Sequence, residues 1–260
     1  MPSGTTVSSA DRRLGGPPVV HRSSLREQVA AALRDELMAG RLAAGRHFTV
    51  KEIAELYGVS ATPVREALVD LAAQGMLVVE PGRGFAVPRF TWDDFVDIVE
   101  ARSLVIDGIF RRLRGRLSAL DPDAVASLRR RADAAVRAAR AGQLDLLVGC
   151  DRRFWAELGA FAGNRRIGDY LDWLRVQYWI FAASYLRARD DVASFCWSRH
   201  LELVELIEAG DQAGVHAMLL AYNQESLEQM SALCGRPLPD DVPLQVPAPR
   251  EAPSLPATTQ

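Results

Sequence analysis

The stretch Tyr57 to Leu68, YGVSATPVREAL, decides how this chain is read. Gly58 precedes a serine able to cap a helix, and Pro63 then falls inside the opening turn of an amphipathic pattern. Proline lacks the backbone N–H, and the first helical turn is where that donor has no intrahelical partner to lose. Pro63 is therefore tolerated where it stands and would break the pattern one turn later. Val64, Ala67, Leu68 and Leu71 fall on one face and predict the buried stripe. Ser60, Thr62 and Arg65 are left around an exposed helix start, whose free N–H groups favour phosphates and base edges.

Upstream, SLRE offers Ser24 and Glu27 as a capping box for a helix running through Val29, Ala32, Leu33 and Leu37 to Gly40. TVKE repeats the box with Thr49 and Glu52, opening a short helix whose apolar face is read as Ile53, Ala54 and Leu56. Gly58 is placed to take the left-handed turn that ends it. Downstream, GMLVVEPGRGFAVP gives two β-type runs, Leu77 to Glu80 and Phe85 to Val87, joined by the basic turn PGRG. Helix, helix, turn, helix, hairpin is a winged helix-turn-helix. An isolated Arg65 or Arg83 is most simply a solvated surface charge; together with the caps, Gly58, Pro63 and the wing, the two read as DNA contacts.

The 260 residues allow two modest domains, and 48% hydrophobic with 25% charged residues is a globular composition. Apolar runs stay short of the ~18 residues that span a bilayer, and the first twenty residues lack an apolar core of signal-peptide type, so a cytoplasmic address is expected. The net charge of −2 is uneven: residues 1–90 hold 11 Lys+Arg against 9 Asp+Glu, so the helix-turn-helix sits in the more basic part. Cys150, Cys196 and Cys234 are far apart and form no CxxC pair, and are expected to be reduced. Four histidines, His21, His47, His200 and His216, with no GxSxG and no Walker-type phosphate loop, give no enzyme constellation.

Residues 1–22 and 236–260 read as flexible tails, 23–88 as the winged domain and 91–234 as a helical domain, with a break at VPRF, residues 87–90. In the second part the periodicity predicts helices near 91–114, 121–141, 143–159, 164–188, 192–209 and 211–233, a total of six or seven. Starts are signalled at Thr91, Asp121, Asn164 and Asp211. The fold class is therefore mainly α: a winged helix-turn-helix with a hairpin wing, followed by an antiparallel all-α bundle. Phe154, Trp155, Phe161, Tyr170, Trp173, Tyr178, Trp179, Phe181, Tyr185, Phe195 and Trp197 crowd one segment of it. Core and dimer packing account for most of such a cluster; a cavity lined by aromatic rings is the other reading.

Residues 25–88 resemble the DNA-binding domain of GntR-type bacterial transcription regulators, above all through GVSATPVREAL, GML and PGRGF. The remainder, with EARSLVIDGIF, DRRFWAELGAFAGN and SRHLELVELIEAGD, is similar to the FCD ligand-sensing domain of the FadR subfamily. The resemblance implies a homodimer on a pseudo-palindromic operator in double-stranded DNA, with repression the expected sign, and a small-molecule effector in the helical domain. It implies DNA contacts by Ser60, Ala61, Thr62, Pro63 and Arg65 in the major groove and by Gly82 and Arg83 at the wing tip. Lys51 matches a frequent basic contact on the preceding helix. One position departs: the residue after Ser60 is often a guanine-reading arginine, and Ala61 offers at most an apolar contact to a thymine methyl.

Many FadR-type sensors hold a divalent metal through an aspartate, a histidine four residues later and two further histidines. Asp151 and His200 stand at two of those places here, but Trp155 and Tyr222 occupy the others. An indole is no metal ligand, and His216 lies six residues before Tyr222, a poor angle for replacing it. A metal or other cofactor is accordingly not expected. Asp151 is read as pairing with an arginine and His200 as a hydrogen-bonded histidine at a pocket wall. Arg102 is either a receptor for an effector carboxylate or the partner of Asp151 or Glu100. Arg102, Asp151, Trp155, His200 and Tyr222 form the candidate effector site, its ligand hydrophobic or aromatic with a carboxylate allowed for. The competing function is a constitutive DNA-binding protein whose sensor no longer binds anything.

Overall fold

A computed structural model describes residues 24–113 and 120–239. The expected tail 1–22 and most of 236–260 lie outside them; residues 236–239 have no regular structure. The described residues hold nine α-helices, one 3-10 turn and one small antiparallel sheet.

Helix α1, Leu25–Met38, opens with the capping box read from the sequence: the Glu27 carboxylate accepts from Ser24 N–H at 2.8 Å while the Ser24 hydroxyl accepts from Glu27 N–H. Its buried set is wider than one stripe, Val29, Ala30, Leu33, Leu37 and Met38, because α1 packs on α3 on one side and on α6 and α7 on the other. Helix α2, Val50–Tyr57, carries the second box, with Glu52 accepting from Thr49 N–H at 2.6 Å. The sequence reading of its face is corrected at Leu56, which is 64% exposed. In a helix of eight residues Ile53, Ala54 and Tyr57 share a face, and Leu56 points away from it. Gly58 closes α2 with φ 64°, as expected, and α3 spans Ala61–Ala73 with Val64, Ala67, Leu68 and Leu71 buried.

The wing is larger than the predicted hairpin. Strands β2 (Val78–Glu80) and β3 (Gly84–Ala86) pair as expected, but His47–Phe48, β1, pairs with the far side of β3, giving the order β1-β3-β2. Two residues are too short to show a period, and Phe48 is held by burial in the core. Gly84 adopts φ 95°, and a Cβ built there would meet the Phe48 carbonyl oxygen at 2.6 Å. Gly84→Ala is expected to cost about 1–3 kcal/mol through the left-handed backbone and this contact. Chemical denaturation of the purified variant measures it, and an unchanged midpoint would contradict this account of the wing.

Helices α4 (Trp92–Leu113), α5 (Pro122–Arg140), α6 (Leu144–Ala160), α7 (Arg165–Leu186), α8 (His200–Glu208) and α9 (Gln212–Cys234) form the bundle. All four predicted starts are capped: Thr91 exchanges bonds with Asp94, Asp121 accepts from Asp123 N–H, Asn164 from Arg166 and Ile167, and Asp211 from Gly214. The helix predicted over 192–209 is corrected. A 3-10 turn at Val192–Phe195 is followed by extended chain, and α8 begins only at His200. Packing outweighs helix propensity here, for the break lets the Trp197 ring lie 4.6 Å from that of His200 and 4.8 Å from that of Tyr222.

One cluster of buried side chains runs from α1 and α3 through Phe95 of α4 into Leu174, Phe181 and Leu186 of α7, so the sequence break at 87–90 is not a break in packing. Polar contacts reinforce it. The Trp173 indole N–H and the Arg34 guanidinium both bind Gln74 at the end of α3, the first on its carbonyl and the second on its side chain, while Arg152 pairs with Asp35 at 3.1 Å. A second cluster, centred on Phe154, Leu128, Leu203 and Leu220, fills the far half of the bundle.

Candidate nucleic-acid interface and sensor cavity

The start of α3 projects from the winged domain as the sequence suggests. Ser60, Ala61, Thr62 and Arg65 are exposed, and Pro63 is half-buried above the stripe that anchors the helix. Ser60 has the extended backbone of an N-cap, φ −69° and ψ 155°, yet its hydroxyl makes no capping bond. The expected Ser60 cap is thus corrected: both the hydroxyl and the first N–H groups of α3 face outward, free for an external acceptor. Arg65 forms no ion pair among the described residues. Lys51 and Arg83 are nearly as open, each only 3.8 Å from a carboxylate, Glu55 and Glu80, at distances that bind weakly. Gly82, φ 76°, makes the wing turn that carries Arg83. All eight residues expected to contact DNA therefore lie on α2, the start of α3 or the wing tip.

The sensor residues form a buried network around Asp151. Its carboxylate is only 4% exposed and accepts four N–H donors. One oxygen takes the Trp155 indole at 2.7 Å and faces His200 Nε2 at 3.1 Å; the other takes the Arg175 guanidinium at 3.2 Å and the Trp179 indole at 3.0 Å. Burial by itself would raise the carboxyl pKa, but the Arg175 charge, His200 and the Trp179 N–H outweigh it and hold it down at about 2. Arg175 also reaches Tyr222 Oη at 3.3 Å and lies 4.3 Å over the Trp155 ring, on which the Tyr222 ring stacks at 5.0 Å. Trp155 and Tyr222 thus replace ligation by stacking, and a guanidinium stands beside the carboxylate where a cation would be needed.

This donor set does not fit a metal. Every acceptor position of Asp151 is engaged, and among the described residues no group of three or more His, Cys, Asp or Glu side chains comes close enough to hold an ion. His216 is far from the network, bonded to Asp107 at 2.6 Å and stacked on Phe110.

Arg102 is separate from Asp151, which corrects the ion pair weighed for it. It is 2% exposed, sits over the Tyr178 and Tyr222 rings at 5.1 and 5.0 Å, and its Nη1 has no hydrogen-bond partner among the described residues. Burial lowers its pKa below the ordinary arginine value, a direction that neighbouring Arg175 reinforces. Arg102, Arg175, Trp155 and Tyr222 line a cavity of about 90 Å³ whose other walls are apolar, among them Ile106, Ile109, Leu158 and Leu219, apart from Asp172. Asp151 and His200 do not line this cavity; they lie behind Arg175 and Trp155. The residue missed by sequence reading is Arg175. Its signal was present: it is the one charged residue between Leu174 and Leu186, and such a residue demands a buried partner.

An exposed helix start, a wing tipped by Arg83 and a largely apolar cavity among the bundle helices define a winged helix-turn-helix followed by a helical bundle. The chain belongs to the gntR family of bacterial regulatory proteins: residues 25–87 match that family, and residues 97–225 match the FCD domain. Among curated proteins it is 42% identical over 66 residues to the HTH-type transcriptional regulator McbR of Escherichia coli (strain K12), covering 25% of this chain and 30% of that one. It is 35% identical over 85 residues to the uncharacterized HTH-type transcriptional regulator BphR of Paraburkholderia xenovorans (strain LB400), covering 33% and 35%. The chain spans about a third of the length of these curated relatives, which are regulators rather than enzymes. Among solved structures, E. coli McbR/YncC superposes with a TM-score of 0.68 at 24% identity, over 82% of this chain and 98% of that one. A GntR regulator from Rhodococcus sp. RHA1 gives 0.62 at 21%, over 81% and 97%. Both show the same fold. No described helix is long and apolar enough to cross a membrane.

Proposed function

We propose that the chain is a sequence-specific DNA-binding transcription regulator that acts as a homodimer on a pseudo-palindromic operator and answers to a small molecule held in its helical domain. The observation that carries the reading is the start of α3, where an idle Ser60 hydroxyl, unbonded first-turn N–H groups and an unpaired Arg65 share one exposed face. Ser60, Ala61, Thr62, Pro63 and Arg65 enter the major groove, Gly82 and Arg83 follow the minor groove, and Lys51 holds a phosphate. Repression is the expected sign. Selection from a random DNA pool should enrich two related half-sites in inverted orientation; an unenriched pool would overturn the reading.

Lys51→Ala is expected to weaken binding to every duplex alike and to reduce the slope of log K against log salt by about 1, the release from one phosphate. Titrations at several salt concentrations against operator and unrelated DNA measure it. A loss confined to the operator would instead make Lys51 a base contact.

A further inference from the structure

Arg83 at the wing tip shares a carboxylate with a histidine. Register sets His47 of β1 opposite Ala86 of β3 and Ala86 opposite Val78 of β2, while Gly84, two residues back along β3, faces Glu80. Cross-strand partners share a face and successive residues alternate, so His47, Ala86, Gly84 and Glu80 stand on one side of the sheet. The central strand offers only a methyl and a hydrogen there. His47 therefore reaches over it, and its Nδ1 lies 3.1 Å from Glu80 Oε2. The same oxygen is 3.8 Å from Arg83 Nη1. The other charged residues of the surrounding elements are Lys51, paired with Glu55, Glu52, acted on by Arg46, and Arg89, whose guanidinium covers Gly45. Among the described residues none of these forms an ion pair with His47 or Glu80.

An ionised Glu80 works against a duplex in two ways: it draws Arg83 aside, and it sets a negative charge where phosphates approach. A neutral imidazole that donates from Nδ1 holds the carboxylate in place and leaves its charge intact. A second proton, on Nε2, cancels that charge without breaking the bond. We propose that His47 and Glu80 are positioning residues for the wing: protonation of His47 offsets Glu80 and releases Arg83 to the duplex, so that the chain grips DNA more tightly in mild acid than in mild alkali. The inference rests on the reading of the wing as a DNA contact and makes that contact answer to a proton. His200, buried on Asp151, and His216, paired with Asp107, belong to the bundle and not to the wing.

The test is the affinity of the full chain for a duplex of mixed sequence, at constant ionic strength, between about pH 5.5 and about pH 8, the interval in which histidine changes charge. At the acid end the native chain is expected to bind about two- to fivefold more tightly than His47→Gln, the range of an exposed ion pair, and at the alkaline end to match it. Glutamine keeps a donor to Glu80 and carries no charge in either condition, so this variant sets the pH response of the rest of the chain. Glu80→Gln should bind at the tight level throughout, and Arg83→Ala should bind weakly and lose most of the response. None of the three side chains is buried, so the substitutions leave the core untouched. A full response surviving in Glu80→Gln or in Arg83→Ala would make His47 a direct contact and overturn the positioning role. Native and His47→Gln curves that coincide across the range, with DNA still bound, remove this assignment alone; a chain that binds no duplex at either end overturns the reading of its function and this one with it.

Discussion

Asp151→Ala should lower stability by about 3–5 kcal/mol, the cost of leaving a buried charge without its partner. The substitution strands the Arg175 guanidinium and removes the acceptor of the Trp155 and Trp179 indoles and of His200 at once. For a chain of this size the melting temperature should fall by on the order of 10 °C. Asp151→Asn keeps one acceptor oxygen and should lose less. The pH dependence has a definite sign. The Asp151 carboxyl is held at about 2, below the ordinary 3.8, so its contribution is fully present above the unfolded value and is lost as pH falls through the folded one. The advantage of the native chain over Asp151→Asn should therefore shrink between about pH 4 and pH 2, by on the order of 2 kcal/mol. Melting curves of the two proteins across that window measure it, and a gap that stays constant would mean that the ion pair contributes nothing.

Arg65→Ala should cost about 1–3 kcal/mol on the preferred operator and relax the choice of base at one position in each half-site. Val64 and Leu68, on either side of it in the sequence, hold α3 against the core with no exposure, so the change leaves the helix in place and removes only the outward group. Binding to the operator and to single-base variants separates this from the uniform loss expected of Lys51. Unchanged affinity for Arg65→Ala would move base reading to Thr62 and Ser60. Ala61, with its exposed methyl, predicts an A·T pair at the position it faces.

The winged domain was legible because its signals are local. Ser24 and Glu27, Thr49 and Glu52, and Gly58 each declare a helix end within four residues, and the folded chain uses all three. Ser60 carried the same cap signal, yet its hydroxyl is idle, since residue type specifies where a cap can form and not whether it does. Strand β1 was invisible, being two residues long and fixed by Phe85 and Ala86 nearly forty positions away. The sensor was legible in its departures from a metal site and opaque in what replaced it. Asp151 meets Arg175 across 24 positions and His200 across 49, pairings that depend on how α6, α7 and α8 cross. Arg102 was singled out, but its isolation from Asp151 appears only once the Tyr178 and Tyr222 rings are seen to stand around it.

Helix α7 supplies both Trp173, bonded to the last turn of α3 through the Gln74 carbonyl, and Arg175, which walls the cavity. Helix α3 is thus bolted to the helical bundle rather than joined to it by a free hinge. A shift of α7 is therefore a shift of the end of α3, so the wall of the cavity and the exposed start of that helix belong to one packed body.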